Sequence, residues 1–191
     1  MDHKSEPYTP STRTDARVER SRAALRAALL ELIKTAPYDA ITIREITARA
    51  GAGYATFFRH YPDKDALLND LASDEIRELL SRSLPIALAD DSRAACLTLC
   101  RYVDERRTLW SALLTGGAAG AMRVEFIRQA RLAIPEGVER IGWLPTDLRV
   151  VFGVAGTVEI LAWWLRDHGE EPIESVAEML DRLVVAPAMA D

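Results

Sequence analysis

The chain has 191 residues, enough for one ordinary domain or two small ones. Its composition, 49% hydrophobic and 28% charged, is that of a globular protein and excludes a disordered chain. The formal net charge of −5 divides unevenly: residues 1–60 carry ten Lys or Arg against seven Asp or Glu, about +3, and the remainder carries fourteen against twenty-two, about −8, so the acidic total does not exclude a polyanionic partner for the first third.

The opening residues 1–13, "MDHKSEPYTPSTR", are polar, contain two prolines and have no apolar core of a secretory signal; they read as a disordered tail. Helical periodicity follows in "RVERSRAALRAALLELIKTA". Val18, Leu25, Ala28, Leu29, Leu32 and Ile33 recur at spacings of three, four and seven, leaving Arg20, Arg26 and Glu31 to water, and the helix stops before Pro37. In "ITIREITARA", Thr42 followed three residues later by Glu45 is a capping-box pattern. It predicts a short helix from Ile43 to about Ala50, ended by Gly51. The segment "YATFFRHY" predicts a second short helix, and after Pro62 and Asp63 the stripe Leu67, Leu68, Leu71, Ile76, Leu79 and Leu80 predicts a long one ending near Pro85.

Further helices are expected at about 91–107, 108–115, 119–133, 146–168 and 173–185. No segment shows convincing strand periodicity, so the expected class is all-α. The run from Val150 to Leu165 is interrupted by Thr157 and Glu159 and is too short for a membrane span; it reads as a buried helix. Cys96 and Cys100 lie four apart on one helical face. A redox pair or half of a metal site can be imagined there, but the three histidines His3, His60 and His168 are scattered, and two small core residues in a reducing cytoplasm are the simpler reading. No nucleophile-elbow serine, H-E-x-x-H or placeable carboxylate pair is present, so no enzymatic activity, metal or cofactor is expected.

"AGAGYATFFRHY", residues 50–61, admits two readings. Gly51, Gly53 and Thr56 come within one residue of a dinucleotide fingerprint, but that motif acts after a strand, inside a βαβ unit, and here a helix precedes it. The other reading is a helix-turn-helix: a capped helix, a glycine turn and a second helix aimed at a partner. Tyr54 and Ala55 then stand at the exposed start of that helix, within reach of base edges or thymine methyls. Thr56, Arg59, His60 and Lys64 reach phosphate oxygens, as do the backbone amides at the start of the preceding helix beside Thr42 and Arg44. Phe57, Phe58 and Tyr61 are expected to pack the small helix against the first one.

Through these residues the sequence closely resembles the TetR family of transcriptional regulators, from about Glu19 to Leu79 and most strongly in "ITIREITARAGAGYATFFRHYPDKDALL". The resemblance implies a DNA-binding domain over 19–79, with its helix-turn-helix at 42–61, and a ligand-binding and dimerisation domain over 81–186. By matching position, Thr42 marks a helix start that holds phosphate, Tyr54 and Ala55 are base-reading sites, and His60 and Lys64 contact the DNA backbone. Two positions depart from the pattern. Gly53 stands where the family often has a capping serine, and Phe58 where it commonly has a tyrosine whose hydroxyl binds phosphate.

The family pairs its last two long helices with those of a second copy, which here places Phe152, Gly156, Trp163, Val176 and Leu180 at a dimer interface. Bulky apolar residues between the helices, Cys100, Trp110, Met122, Phe126 and Phe152, with Cys96 and Trp143, are candidates to line the pocket of a largely apolar effector. The expected function is a cytoplasmic, homodimeric regulator, a repressor of a palindromic operator on double-stranded DNA, relieved by a small-molecule effector and having no membrane association. Activation instead of repression stays open. The competing reading is a helical-bundle small-molecule-binding protein or enzyme whose helix-turn-helix is structural only.

Overall fold

Leu25, Ala28, Leu29 and Ile33 recur at three- and four-residue spacing and are buried, and around them forms the 22-residue α1 (Thr12–Ile33). The computed structural model describes residues 12–89, 91–116, 119–134, 140–141 and 144–189; the expected tail lies outside the described residues as far as residue 11, and α1 begins at Thr12. A 3-10 turn (Tyr38–Ala40) leads into α2 (Ile43–Ala50), α3 (Tyr54–His60) and α4 (Lys64–Leu88), the last capped by Asp63, whose carboxylate accepts from the Ala66 amide at 2.7 Å.

α4 passes through Pro85 instead of ending there. Proline lacks the amide that the Ser81 carbonyl would accept, but Ile86 and the buried Ala87 keep helical spacing, and burial overrides the local preference.

Next among the described residues come α5 (Ser92–Glu105), α6 (Arg107–Thr115), α7 (Ala119–Leu132) and α8 (Thr146–Asp167). α9 (Ile173–Leu180) opens into a π-helical turn over Asp181–Val185 and closes with α10 (Ala186–Met189), so the helix expected at 173–185 is α-helical only in its first half. The all-α expectation holds apart from a two-residue antiparallel pair, β1 (Arg140–Ile141) against β2 (Leu144–Pro145). α8 is apolar and long enough by composition to cross a membrane, but half of that stretch is buried against its neighbours, as expected of a core helix.

One apolar cluster joins both ends of the molecule. It runs from Leu25 and Leu29 through Ile46, Phe57 and Leu67 to Trp110, Trp164 and Leu180. α4 packs against α1 on one side and α5 and α7 on the other, so the helix leaving α3 is also the wall of the C-terminal bundle.

Candidate nucleic-acid interface

The two short helices are held by local chemistry. Thr42 caps α2 through both arms of a capping box: the Glu45 amide donates to the Thr42 hydroxyl at 3.3 Å, and the Thr42 amide and hydroxyl donate to the Glu45 carboxylate at 2.8 and 2.7 Å. Those hydrogen bonds hold the Glu45 acid below the usual carboxylate range. Gly51 ends α2 in the left-handed region, φ +61°, while the Ala52 amide reaches back to the Thr47 carbonyl at 2.9 Å. Gly53 differs. It caps α3 in extended geometry, φ −75° and ψ 153°, and a Cβ there would meet only the Thr56 Oγ1, at 3.9 Å. Glycine is required by backbone conformation at 51 and not at 53.

α3 turns one face inward and one outward. Phe57 and Tyr61 are buried, whereas Tyr54, Ala55, Phe58 and Arg59 are exposed, with Thr56 and His60 half-buried along the flanks. Phe58 was expected in the packing against α1; instead it is 47% exposed, beside Tyr54 at 55%. Its position explains this, because at about 100° per residue it falls between Tyr54 and Ala55 on the outer arc. The Tyr54 and Phe58 rings meet edge to face with centroids 5.2 Å apart, and Phe58 meets Phe57 the same way at 5.5 Å.

The inner face is anchored to α1 and α4. The Asp70 carboxylate accepts from the Tyr61 hydroxyl at 2.6 Å and from the Arg22 guanidinium, with Arg26 at 3.4 Å; Arg26 also pairs with Asp74, and so is not left to water. Burial pushes the Tyr61 phenol up to about 12, reinforced by the bond to Asp70. Burial alone would raise the Asp70 acid, but the bonds from Arg22 and Tyr61 and the nearby Arg26 charge overrule it and hold it low. His60 Nε2 lies 2.6 Å from the Ser21 hydroxyl, and burial, then the Arg59 and Arg22 charges, lowers its basicity.

Sequence reasoning missed this anchoring. The available signal was a matched spacing, Arg22 and Arg26 four apart on α1 facing Asp70 and Asp74 four apart on α4.

Lys64 is placed differently from the expected phosphate contact. Its ammonium donates to the carbonyls of Tyr38, Asp39 and Ile41 at 3.0, 3.2 and 3.1 Å and sits 4.5 Å from the centre of the Tyr38 ring. Arg44 is exposed on α2 beside the capped Thr42.

The structure places the residues named for the second part of the chain on both sides of its helices. Cys100, Trp110 and Met122 are fully buried and Phe126 nearly so, packed as core, while Phe152 is 55% exposed. Trp143 lies outside the described residues. A groove of about 550 Å³ runs instead between α4 and α7, lined by Leu80, Leu84, Pro85, Leu132 and Ala133 with Arg77, Ser81, Arg128 and Gln129. Val176 and Leu180, expected at a dimer interface, point into their own protomer, because α9 packs its apolar stripe on α5 and α8. Gly156 receives Val184 of the same chain: a Cβ there would lie 2.7 Å from a Val184 methyl. Trp163 is half-buried and stacked on His168, centroids 4.0 Å apart.

Comparison with known proteins places this geometry. The family model described as "Bacterial regulatory proteins, tetR family" matches residues 25–71, from α1 through the helix-turn-helix into α4. The "Uncharacterized HTH-type transcriptional regulator YxbF" of Bacillus subtilis is 22% identical over 173 residues, 87% of this chain; the chain spans 45% of that relative, about half its length. The TetR transcriptional regulator of Streptococcus agalactiae has the same fold, with a TM-score of 0.63 at 19% identity over 92% of this chain and 99% of that one. So does FadR of Thermus thermophilus, a TetR-family repressor whose structure holds lauroyl-CoA: TM-score 0.63 at 19% identity, covering 89% and 95% of the two chains. The segment that encloses the helix-turn-helix thus matches the TetR-family model, and the chain shares the helical fold of these regulators.

Proposed function

We propose that the chain acts as a cytoplasmic homodimer that binds a palindromic operator, represses transcription there, and releases DNA when a small, largely apolar ligand binds. The observation that carries this reading is the two-sidedness of α3: its inner face is locked by Phe57, Tyr61 and Asp70, and its outer face offers Tyr54, Ala55, Phe58 and Arg59 with no partner from α1 or α4 covering them. A helix held rigidly with one free face is suited to insertion in a major groove. Thr42, Arg44, Thr56, Arg59 and His60 surround that face as phosphate contacts, Gly53 lets the backbone approach, and Lys64 positions the loop before Thr42.

In this reading residues 19–79 form the DNA-reading domain and 81–186 the ligand-binding and dimerisation domain. The apolar lining of the α4–α7 groove supports an effector of the same character, and its position on α4 puts ligand binding on the helix that carries α3. The lauroyl-CoA held by the Thermus thermophilus repressor has an apolar acyl chain beside a charged coenzyme A, and supports a ligand with at least an apolar part.

Selection from a random duplex library at low salt tests the reading. It is expected to return a palindrome, and Tyr54→Ala is expected to change the base preference at one position of each half-site. Failure to enrich any duplex would leave the helix-turn-helix as scaffold and favour a helical small-molecule-binding protein.

A further inference from the structure

Phe58 is a residue that the family pattern gives no base-reading part, and the structure sets it at the centre of the outer face of α3, flanked by Tyr54 and Ala55. Its ring packs edge to face against Tyr54 at 5.2 Å and against Phe57 at 5.5 Å, so the two exposed rings form one apolar surface. Phe57 in turn is wholly buried, which ties the orientation of the pair to the core.

A packed aromatic pair facing solvent on a helix of seven residues calls for a covering surface. Phenylalanine has no donor or acceptor, so it can read none of the hydrogen-bonding groups on a base edge. It cannot bind a phosphate oxygen either. The major groove offers one apolar base-edge group, the 5-methyl of thymine.

Resting on the DNA-reading function proposed above, we propose that Phe58, backed by Tyr54, is a specificity-determining residue that selects thymine through its 5-methyl group. The replacement of a tyrosine by Phe58 thus changes the contact in kind, from a backbone hydroxyl contact to an apolar base contact. Arg59, on the same exposed arc, supplies the charge that holds the helix in the groove, while Phe58 supplies discrimination.

The test uses the full chain and the duplex that it selects itself from a random library. Each thymine of the selected half-site is replaced in turn by deoxyuridine, which deletes only the methyl group, and affinity is measured for the unaltered chain and for Phe58→Ala. The expected result is a loss of about fourfold at one or two thymines, absent in Phe58→Ala and retained in Phe58→Leu, which keeps an apolar side chain. Because Phe58 is half-exposed, circular dichroism is expected to be the same in all three proteins and the melting temperature to fall by only a few degrees in Phe58→Ala, with binding measured well below it. Equal loss with and without the ring, or no loss at any thymine, overturns the proposal while leaving DNA reading intact. Failure to select any duplex overturns both.

Discussion

Lys64 has three ammonium protons, and the carbonyls of Tyr38, Asp39 and Ile41 receive them. Those carbonyls belong to the turn that delivers Thr42, the α2 cap, so the lysine holds that turn in place, and in the proposed DNA reading it acts through the turn. A direct phosphate contact and a clamp make opposite predictions. For the clamp, Lys64→Ala costs about 1 kcal/mol of stability, roughly 2–4 °C in melting temperature, and the slope of log affinity against log salt stays that of the unaltered chain. For a phosphate contact the melting temperature holds and the slope falls by about one. The first outcome is expected; melting curves and a salt titration of duplex binding check it. Thr42 and Gly51 were legible in the sequence because cap, box and stop are written in consecutive residues. The role of Lys64 was not, because its partners are backbone carbonyls more than twenty residues away, which no side-chain pattern marks. Phe58 was misread because a seven-residue helix contains too few turns for periodicity to separate its faces.

Between elements, the polar bridge from α4 to α7 links the helix that carries α3 to the C-terminal bundle. Gln129 donates to the Ser73 carbonyl and to the Glu125 carboxylate, both at 2.7 Å, the Ser73 hydroxyl donates to Glu125 at 2.8 Å, and Arg128 closes the cluster on Glu125 at 2.6 and 2.7 Å. The Arg128 bonds, against some opposition from burial and with help from Gln129 and Ser73, hold the Glu125 acid down at about 2, below its ordinary 4.5. An acid depressed in the folded state stabilises it fully above its unfolded value and ceases to do so as pH falls through its folded value. The bridge therefore weakens between pH 4.5 and 2, and the α1–α4 pairs also weaken in acid, below the ordinary aspartate value of 3.8, since Asp70 and Asp74 are shifted down as well. Glu125→Gln is expected to lower stability at pH 7 by on the order of 1–2 kcal/mol, allowing for its partial exposure, and to flatten the fall in melting temperature from pH 5 to 2.5. A variant whose melting temperature falls in parallel with the unaltered chain places the acid sensitivity elsewhere. The helices on either side of this bridge were legible from their spacing. The bridge was not, because Ser73 and Glu125 are 52 residues apart and meet only once α4 and α7 pack.

At the scale of the whole molecule, the sequence announced apolar stripes on α8 and α9 without saying which side of each turns outward. α8 is apolar on more than one side and α9 carries one apolar stripe that either its own protomer or a second copy can cover, and the packing decides: Val176 and Leu180 go inward against α5 and α8, while Leu148, Phe152 and Leu183 remain exposed on α8 and the π-helical turn. Leu148 and Phe152 stand four apart on one face of α8, and a cluster of large apolar side chains left to water is the kind of surface that a second copy covers. Twofold pairing through this face would supply what one short recognition helix lacks, a second half-site roughly 34 Å away. Two substitutions separate the inner face from the outer one. Phe152→Glu is expected to leave helicity and melting of the protomer unchanged, to give a monomer in sedimentation equilibrium, and to abolish preference for a palindrome over a single half-site. Leu180→Ala is expected to cost about 2–5 kcal/mol of stability, because it empties a filled core position, while sedimenting as the unaltered chain does at temperatures where it stays folded. If Leu180→Ala dissociates the dimer without lowering its melting temperature and Phe152→Glu does not, the copies meet through another face.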